Sequence, residues 1–478
     1  MTDSQAASGP PHGTAGPRAT AAATPGAAPA GSAATGSLKP TLGLLSATLL
    51  IVGSAIGSGI FRLPSTMAEQ LGSPWLLLGV WVLCGLLSLT GALTFGEMGA
   101  MFPRAGGQYV FLREAWGDRV AFLYGWSYFW VIQTGIIAAV AIAFAGFVGF
   151  FWPLTFFQQQ LLAMAVIGVL TLVNLVGVAY GSLVQNLFTA LKVGALMALV
   201  VLGFVLTGAS DSFSRPVLPA ATGSGSLVGA IGLAMLAAFF AYDGWNQSAA
   251  VASEVKDPQR NVPRSAALGV LVVMGVYVAA NAVYVYVLDF DQVVGTPTLA
   301  ADVASVMFGD LGATLITAAI VVSTFGTVNA FVLSGPRVYY AMAKDGLFYK
   351  GMANVSKRFS TPDFGLIVQA QWSMLLVLTG SYESLVNFSV FAIWLFYGFA
   401  GIGLFLLRRR RPDIERPYKV TGYPLVPLLF IATSAFIVLN TLVTDTRNAG
   451  MGLLLIVSGV PVLFLMEWRR RRSRVVSD

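Results

Sequence analysis

Apolar residues run through this chain in long blocks separated by short polar connections, and the length of the blocks predicts membrane helices. A helix needs about 20 predominantly apolar residues to cross the hydrocarbon core of a bilayer. From Thr41 onward, blocks near that length recur twelve times. The predicted spans are residues 42–66, 75–100, 120–150, 160–180, 183–207, 227–252, 265–288, 311–343, 364–381, 385–407, 424–442 and 449–467. The pattern therefore predicts an all-α polytopic membrane protein with 12 transmembrane helices.

The composition excludes a soluble enzyme of this size. Charged residues make up 10% of the 478 residues and apolar residues 56%, whereas soluble domains carry about 25% charged residues. The chain has one histidine, His12, and one cysteine, Cys84, and it contains no HExxH or GxSxG motif. These residues form no constellation for a metal ion or a nucleophile. We therefore expect neither an enzymatic activity nor a cofactor.

Residues 1–38 differ in composition from the rest of the chain. They are almost entirely Ala, Gly, Pro, Ser and Thr, and such a segment buries too little apolar surface to offset the entropy of ordering. The composition predicts a disordered tail. The tail lacks the basic and apolar regions of a cleaved signal peptide, so we expect the first span to direct membrane insertion.

The basic residues fall mainly on one side of the predicted spans. Of the 28 Lys and Arg residues, 24 lie in the termini and in the loops of one side and only two in the opposite loops, while Arg62 and Lys192 lie within spans. Loops rich in Lys and Arg face the cytoplasm. The distribution therefore predicts a multi-pass protein of the plasma (inner) membrane with both termini in the cytoplasm.

Two runs of arginine could be mistaken for nucleic-acid sites. Arg408–Arg411 directly follows a predicted span, and Arg469–Arg472 belongs to the basic cytoplasmic tail predicted for residues 468–478. Because each run adjoins the cytoplasmic end of a span, we interpret it as a topology determinant in contact with anionic lipid headgroups. We expect membrane lipid, and no nucleic acid, as a partner of these runs.

The first span is interrupted by glycine. Gly57-Ser58-Gly59 separates about 15 residues from about 7, or roughly 22 Å and 10 Å of helix, so neither piece crosses the membrane alone. Unwinding here would expose backbone amides at the positive end of the second half-helix, which suits a carboxylate. The alternative is close helix packing, since Gly53 and Gly57 also form a GxxxG pair.

The sixth span carries polar residues inside an apolar stretch, in the segment Phe240-Ala241-Tyr242-Asp243-Gly244-Trp245-Asn246-Gln247-Ser248. This span is the first of a second set of five, and interruptions at corresponding positions of two halves indicate the central site of a transporter. Freed carbonyls around Phe240–Tyr242 would accept hydrogen bonds from an ammonium group. Together the two breaks predict a site for a zwitterion.

Six short motifs lie in a defined order over most of residues 40–470. They are Gly57–Phe61, Phe102–Tyr109, Phe240–Trp245, Glu254–Pro263, Ala341–Leu347 and Arg416–Val420. In this order they resemble the amino acid, polyamine and organocation transporter superfamily and, within it, the L-amino acid transporter family of the bacterial permease type. The resemblance implies a five-plus-five inverted repeat, with helices 1–5 in residues 40–207 and helices 6–10 in residues 227–407. It also implies that helices 1 and 6 are broken and that two extra helices follow in residues 424–467.

The resemblance also implies the residues of the substrate site. Gly57, Ser58 and Gly59 would bind the substrate carboxylate, the carbonyls of Phe240–Tyr242 would bind its amino group, and Phe240 would close over it. The substrate-binding residues that we predict are Ile56, Gly57, Ser58, Gly59, Ile60, Phe240, Ala241, Tyr242, Asp243, Trp245 and Asn246.

Lys192 matches a fifth-helix lysine that occupies the place of sodium in sodium-coupled members of the resembled superfamily. Ser323 matches an eighth-helix partner of that lysine, and Gly53 belongs to the same predicted site. Independently of any family, an ionisable residue within a span costs about 2.5–3.5 kcal/mol on insertion and usually marks function. Lys192 would act as a fixed ammonium group that removes the need for sodium, or as a proton carrier. The alternative to both is a side chain that snorkels to the interface.

Three further charges near the spans have two interpretations each. Asp243 either contacts a cationic side chain or the substrate amine, or caps amides freed at the break. Arg62 is either an outward-facing gate or a snorkelling anchor. Glu97 is either a structural partner for donors in the loops or a proton carrier.

These features predict secondary active transport or exchange of L-amino acids, preferentially neutral ones, by sodium-independent alternating access. Asp243 motivates a cationic amino acid or polyamine exchanger as an alternative. A non-transporting amino acid sensor is a second alternative, because it would keep the same binding site. Animal members of the resembled family bind a glycoprotein through a cysteine between the third and fourth spans. Residues 151–160 contain no cysteine, so we expect no disulfide-linked glycoprotein subunit.

Overall fold

The computed structural model describes residues 40–219, 226–296 and 298–475, without the side chains of residues 178–185 and 469–475. The predicted tail of residues 1–38 lies outside the described residues. In the described ranges the regular elements are helices, apart from one isolated bridge between Leu42 and Val255. The α-helices are α1 (Leu44–Ala55), α2 (Gly59–Leu71), α3 (Pro74–Met101), α4 (Gln108–Trp116), α5 (Asp118–Ser127), α6 (Gln133–Val148), α7 (Phe156–Val176), α8 (Val178–Leu206), α9 (Leu227–Tyr242), α10 (Gln247–Ala250), α11 (Pro258–Val287), α12 (Phe290–Val293), α13 (Leu299–Lys344), α14 (Asp363–Thr379), α15 (Tyr382–Arg410), α16 (Leu425–Thr444), α17 (Thr446–Val457) and α18 (Gly459–Val475).

Several of these helices have the length and composition of membrane spans, so the chain is a multi-pass membrane protein. Among the described residues, nine helical segments qualify, and the bent pair α1 and α2 makes a tenth if it is counted as one span. The helices α9 and α14 are apolar but shorter, with 16 and 17 residues. Each of the twelve predicted spans overlaps one of these segments. Because length and composition qualify nine or ten of them, the number twelve stays a prediction.

Several helices extend beyond their predicted spans, and α13 and α18 do so the furthest. The helix α13 begins at Leu299, and a kink at Phe308 and Gly309 lies just before the predicted start at residue 311. Gly309 has a φ of +59°, a conformation that glycine adopts more readily than other residues. At the chain's end, α18 continues through the predicted basic tail as far as Val475. A π-helix, Tyr128–Ile132, joins α5 to α6 within a single span.

Helices α1, α3, α8, α9, α11 and α13 form the centre of the molecule. The helix α11 packs along α3 and against α1, and α13 packs against α8 and α6. The interior surface is continuous and apolar, with fully buried aromatic side chains such as Trp81 and Tyr277. Both interrupted spans, α1 with α2 and α9 with α10, lie inside this group.

A buried ion pair and three backbone hydrogen bonds fasten the start of α1 to the segment that follows α9. The Thr41 and Leu42 amides each donate to the Glu254 carbonyl over 2.9 Å, and the Lys256 amide donates to the Leu42 carbonyl over 2.8 Å. The Glu254 carboxylate accepts from Arg337 Nε on α13 over 3.0 Å, and the two side chains are 2% and 1% exposed. This cluster connects α1, α13 and the end of the sixth span.

Glu97 forms a second polar cluster, at the end of α3. Its carboxylate accepts from Arg408 Nε over 2.9 Å and from Arg408 Nη2 over 2.6 Å, and it also accepts from the Val420 amide over 2.7 Å. The side chain of Glu97 is fully buried. These contacts are those of a structural partner for donors at the end of α15 and in the connection that follows it.

We predict that Arg337→Met lowers the free energy of unfolding by about 3–5 kcal/mol, because it leaves the Glu254 carboxylate buried without a counter-charge. Thermal unfolding of the purified protein in detergent measures the change. Arg104→Met is the matched control, since the Arg104 side chain is 56% exposed in its ion pair with Glu114, and such pairs contribute little. Equal melting temperatures for the two variants would show that the Arg337 pair does not stabilise the fold.

Candidate functional site

The first membrane span is interrupted between α1 and α2. The helix α1 ends at Ala55, α2 begins at Gly59, and their axes differ by 42°. The first hydrogen bonds of α2 run from the Phe61 and Arg62 amides to the Ser58 carbonyl, over 3.3 and 3.2 Å. The amides before Phe61 therefore have no acceptor within α2, and they lie at the end of the helix with partial positive charge. This end is suited to bind a carboxylate.

The sixth span is interrupted where α9 ends at Tyr242. Residues 243–246 form a turn before the short helix α10, and Gly244 in this turn has a φ of +113°, which side-chain-bearing residues rarely adopt. The last carbonyls of a helix have no intrahelical donor and carry partial negative charge. The end of α9 is therefore suited to bind an ammonium group.

The two interruptions are in contact with each other. A Cβ atom on Gly59 would lie 2.8 Å from the Ala241 Cβ, and one on Gly244 would lie 2.7 Å from the Ser54 Cβ. Both distances are too short for ordinary contact, so the close approach of the two segments requires glycine at both positions. Between them lies a cavity of about 10 Å³, about the space of one water molecule. Its lining residues are Ser54, Ala55, Gly57, Ser58, Gly59, Ile136, Val140, Phe240, Ala241, Asp243, Thr327 and Phe331.

The Lys192 side chain of α8 reaches the end of α1. Its Nζ donates to the Gly53 carbonyl over 2.6 Å, to the Ile56 carbonyl over 2.5 Å and to Thr327 Oγ1 over 3.0 Å. These three acceptors satisfy the three donors of an ammonium group. Ser323 Oγ donates to the same Ile56 carbonyl over 3.3 Å. Lys192 is 1% exposed, so it does not snorkel to an interface.

Tyr277 of α11 connects the ends of both interrupted spans. Its hydroxyl group lies 2.6 Å from the Ala55 carbonyl oxygen of α1 and 2.9 Å from the Ala241 carbonyl oxygen of α9. One phenol proton therefore lies between two helix C-termini that would otherwise repel each other through their partial charges. Tyr277 is fully buried.

Asp243 lies at the edge of the cavity and is held by neutral groups. Its Oδ1 accepts from the Tyr397 hydroxyl over 2.7 Å, and the same hydroxyl accepts from Asn246 Nδ2 over 3.1 Å. Within the part of the chain that the structure describes, Asp243 has no basic side chain at ion-pair distance. Trp245 packs its ring against Tyr397 and Phe95, at 5.0 and 4.9 Å between centroids.

Aromatic side chains and one ion pair cover the cavity on one face. Phe240 and Tyr382 make an edge-on contact at 6.2 Å between ring centroids, and the Tyr382 hydroxyl lies 3.3 Å from Ser58 Oγ. Arg62 lies above the Tyr382 ring at 4.8 Å and pairs with Glu383 over 2.8 Å. Both predicted roles of Arg62, gate and snorkelling anchor, are compatible with these contacts.

Another polar cluster lies between α4 and the end of α13. The Tyr109 hydroxyl donates to Asp345 Oδ2 over 3.0 Å, and Arg113 Nη1 pairs with Asp345 Oδ1 over 2.7 Å. Burial, and then the Asp345 carboxylate, raise the pKa of Tyr109 above its ordinary value, so the phenol keeps the proton that it donates. Tyr109 and Arg113 thereby connect α4 to the end of α13.

The predicted site residues divide into two groups. Those that line the cavity are Gly57, Ser58, Gly59, Phe240, Ala241 and Asp243. The others lie beside it: Ile56 accepts from Lys192, Ile60 is buried in α2, and the Tyr242 hydroxyl donates to the Trp81 carbonyl over 2.9 Å, away from the cavity. Among the described residues, no group of three or more His, Cys, Asp or Glu side chains is arranged to hold a metal ion.

Four residues around the cavity were not predicted from the sequence: Thr327, Tyr277, Tyr382 and Tyr397. Thr327 lies four residues after Ser323 on α13, and that spacing puts both hydroxyl groups on one helix face. In the sequence, the three tyrosines are visible only as polar groups inside apolar spans. Such groups often serve helix packing, so they do not by themselves indicate a site.

The chain is similar to one family pattern and to three transporters. The sequence pattern of the amino acid permease family matches residues 42–465. The serine/threonine exchanger SteT of Bacillus subtilis (strain 168) is 33% identical over 442 residues, which cover 91% of this chain and 98% of the exchanger. The b(0,+)-type amino acid transporter 1 of Mus musculus is 33% identical, with 93% of this chain and 92% of the transporter covered. The large neutral amino acids transporter small subunit 2 of Homo sapiens is 32% identical, with 92% and 83% covered.

We predict that Tyr277→Phe lowers the free energy of unfolding by about 1–3 kcal/mol, because it removes the donor of two buried carbonyls. Tyr284→Phe is a matched control on the same helix, since the Tyr284 hydroxyl is buried without a partner among the described residues. Thermal unfolding in detergent should therefore separate the two variants. Identical unfolding curves would contradict the bridging role of Tyr277.

Proposed function

Because the chain belongs to the amino acid permease family, we propose that it performs secondary active transport or exchange of L-amino acids, preferentially neutral ones, by alternating access. The observation that carries this proposal is the meeting of two oppositely charged helix ends at one buried cavity. The N-terminus of α2 and the C-terminus of α9 are brought together there by the contact between Gly59 and Ala241. An L-amino acid carries one group for each end.

In the proposed complex, the amides that begin at Gly57 and end at Ile60 bind the substrate carboxylate. The carbonyls at the end of α9 bind its ammonium group, and the Phe240 ring closes over the side chain. The present cavity of about 10 Å³ is smaller than an amino acid, so binding requires side chains at its edge to move. Phe240 and Tyr382 are the groups in contact there.

We further propose that transport needs no sodium. The Lys192 ammonium group already occupies a position between two carbonyl oxygens and one hydroxyl group, the type of ligand that sodium takes. Ser323 and Gly53 complete this proposed site. A positive charge fixed by three hydrogen bonds would hold the end of α1 without an exchangeable ion.

Alternating access requires closures that open in turn. The proposed outer closure is the contact of Phe240, Tyr382 and the Arg62–Glu383 pair, and the proposed inner closure is the Tyr109–Asp345 cluster. Each interruption lies in the first span of one half, residues 40–207 or residues 227–407. This placement supports the proposed inverted repeat, with residues 424–467 as additional helices. The positions of the basic loops support a plasma-membrane location with cytoplasmic termini.

We propose that the protein functions without a disulfide-linked glycoprotein subunit. The 478 residues contain one cysteine, and Cys84 is buried within α3. Two of the similar proteins are a bacterial exchanger and a mammalian small subunit by name. Because Cys84 is buried, we compare the assembly of this chain with that of the exchanger and not with that of the small subunit.

A second candidate function is exchange of cationic amino acids or polyamines. The specific observation in its favour is Asp243, a buried carboxylate at the cavity that is held by the neutral Tyr397 hydroxyl. A buried charge without an opposite charge is costly. A cationic substrate side chain would supply that opposite charge.

We predict that proteoliposomes loaded with unlabelled amino acid take up labelled serine, alanine or leucine, and that replacing external sodium with choline leaves uptake unchanged. Gly57→Val should reduce uptake to background, because a Cβ there would lie 2.8 Å from Thr327 Cγ2. Gly79→Val is the matched control, since no atom lies within 4 Å of its added Cβ.

The same preparation distinguishes the alternatives. Uptake that Gly57→Val leaves intact would refute the proposed binding site. Stoichiometric binding of an amino acid without turnover would identify a sensor instead of a transporter.

For the second candidate, we predict that Asp243→Asn weakens arginine or lysine recognition about 10- to 150-fold, the range of one hydrogen bond to a charged group. Competition against labelled serine uptake measures this change. Asparagine retains an acceptor for Tyr397, so serine uptake itself serves as the control for folding. Cationic recognition that is unchanged, or absent from both proteins, would contradict the second candidate.

A further inference from the structure

A large aromatic groove lies on the outside of the helix bundle, away from the central site. It has a volume of about 700 Å³ and is formed by α5 with the π-helix, by α14, by α18 and by the connection that follows α13. Its walls include three tryptophans, Trp126, Trp130 and Trp372. Leu375 and Tyr349 in the groove are 45% and 66% exposed, so the groove opens to the surroundings of the protein.

The groove lies in one leaflet of the membrane. On α5 and the π-helix its residues extend as far as Trp130, and on α14 as far as Leu375. Each of these residues is twelve positions from the start of its helical segment, or about 18 Å. One leaflet contributes about 15 Å of hydrocarbon. Both helices start at the face of the membrane that carries the basic loops.

Two polar groups in this groove have no partner among the described residues. Trp130 Nε1 is buried without an acceptor, and the Gln371 side chain is exposed within a membrane helix. Within a bilayer, no water is present to satisfy such groups. An acyl chain of a glycerolipid in the groove would pack against the tryptophan rings.

Basic residues outnumber acidic ones at the rim of the groove, where Asp363 adjoins Phe364 and Glu467, next to Met466, pairs with Arg119. Lys350 lies between the groove residues Tyr349 and Met352, is exposed, and has no ion pair within the described ranges. Lys357 and Arg358 follow in the same connection, and α18 continues past the groove residue Met466 into Arg469–Arg472. A second copy of this chain would bring like charges together at this rim, whereas an anionic headgroup would find opposite charge.

We propose that this groove is a binding site for one anionic phospholipid, with an acyl chain along the tryptophans and the headgroup at Lys350. The π-helix forms part of the groove wall, and π-helical turns frequently mark functional sites. It leads directly into α6, whose Ile136 and Val140 line the central cavity. The lipid therefore contacts the same membrane span as the transport site. The proposal does not depend on which substrate is transported.

The test is native mass spectrometry of the full-length protein in detergent, titrated with phosphatidylglycerol or with phosphatidylcholine of the same acyl chains. We expect one retained phosphatidylglycerol per chain, and affinity for phosphatidylcholine weaker by about fivefold for each basic residue that contacts the headgroup. Lys350→Gln should reduce the preference for phosphatidylglycerol by about fivefold on the same basis. Lys256→Gln, an exposed lysine on the same face, should not.

A second pair of variants tests the groove itself. Val368→Phe narrows the groove and should weaken retention, whereas Val169→Phe, at a 51% exposed position on α7, should leave retention unchanged. Equal retention by these two variants, or equal affinity for the two lipids, overturns the proposal. A lipid-free dimer that Val368→Phe disrupts also overturns it, because the occupant would then be a second copy of the chain. The exposed Lys350→Gln variant keeps the test valid if Val368→Phe fails to fold.

Discussion

The hydrogen bonds of the Lys192 ammonium group to the end of α1 are the interaction on which the centre of this protein depends. A helix that stops inside a bilayer leaves carbonyl groups that neither water nor lipid can satisfy. Lys192 Nζ donates to two of them, at Gly53 and Ile56, over 2.6 and 2.5 Å. The same hydrogen bonds offset the cost of burying the charge. Without them, the span would gain by closing into a continuous helix, and the exposed N-terminus of α2 would be lost.

The second interruption is tied to the first by a different device. Tyr277 places one hydroxyl group between the C-termini of α1 and α9, and glycines remove the side chains that would hold the segments apart. Three helix ends thereby meet in a volume that excludes water, where partial charges act with little screening. Asp243 adds a carboxylate to this volume, held by Tyr397. The concentration of polar groups at membrane depth is what separates this region from the apolar packing around it.

The ion pair above the cavity and the ion pair near the start of α1 differ in their surroundings. Arg62 and Glu383 are 36% and 61% exposed, and such pairs contribute about 0–1 kcal/mol because water screens them. The Glu254–Arg337 pair near the start of α1 is fully buried and is joined by backbone hydrogen bonds. A protein whose helices move against each other needs some contacts that separate easily. It also needs contacts that hold each half of the helix bundle together.

The sequence by itself determined the membrane class, the approximate positions of the spans and both interruptions. These features depend on local composition, since block length, charge and glycine content act on each segment separately. The six permease motifs likewise indicated the family from residues near one another in the chain. Even so, the boundaries moved at the kink of Phe308 and Gly309 and where α18 continues to Val475.

Only the tertiary structure decided which polar groups meet. Lys192 and Gly53 are 139 positions apart, and the choice of Thr327 as the third acceptor follows from how α13 lies against α8. The roles of Tyr277, Tyr397 and Arg62 were equally open, because a tyrosine or arginine in an apolar span is compatible with packing, with anchoring or with a site. Hydrogen bonds act over about 3 Å, so their partners are known only when the helices have been placed.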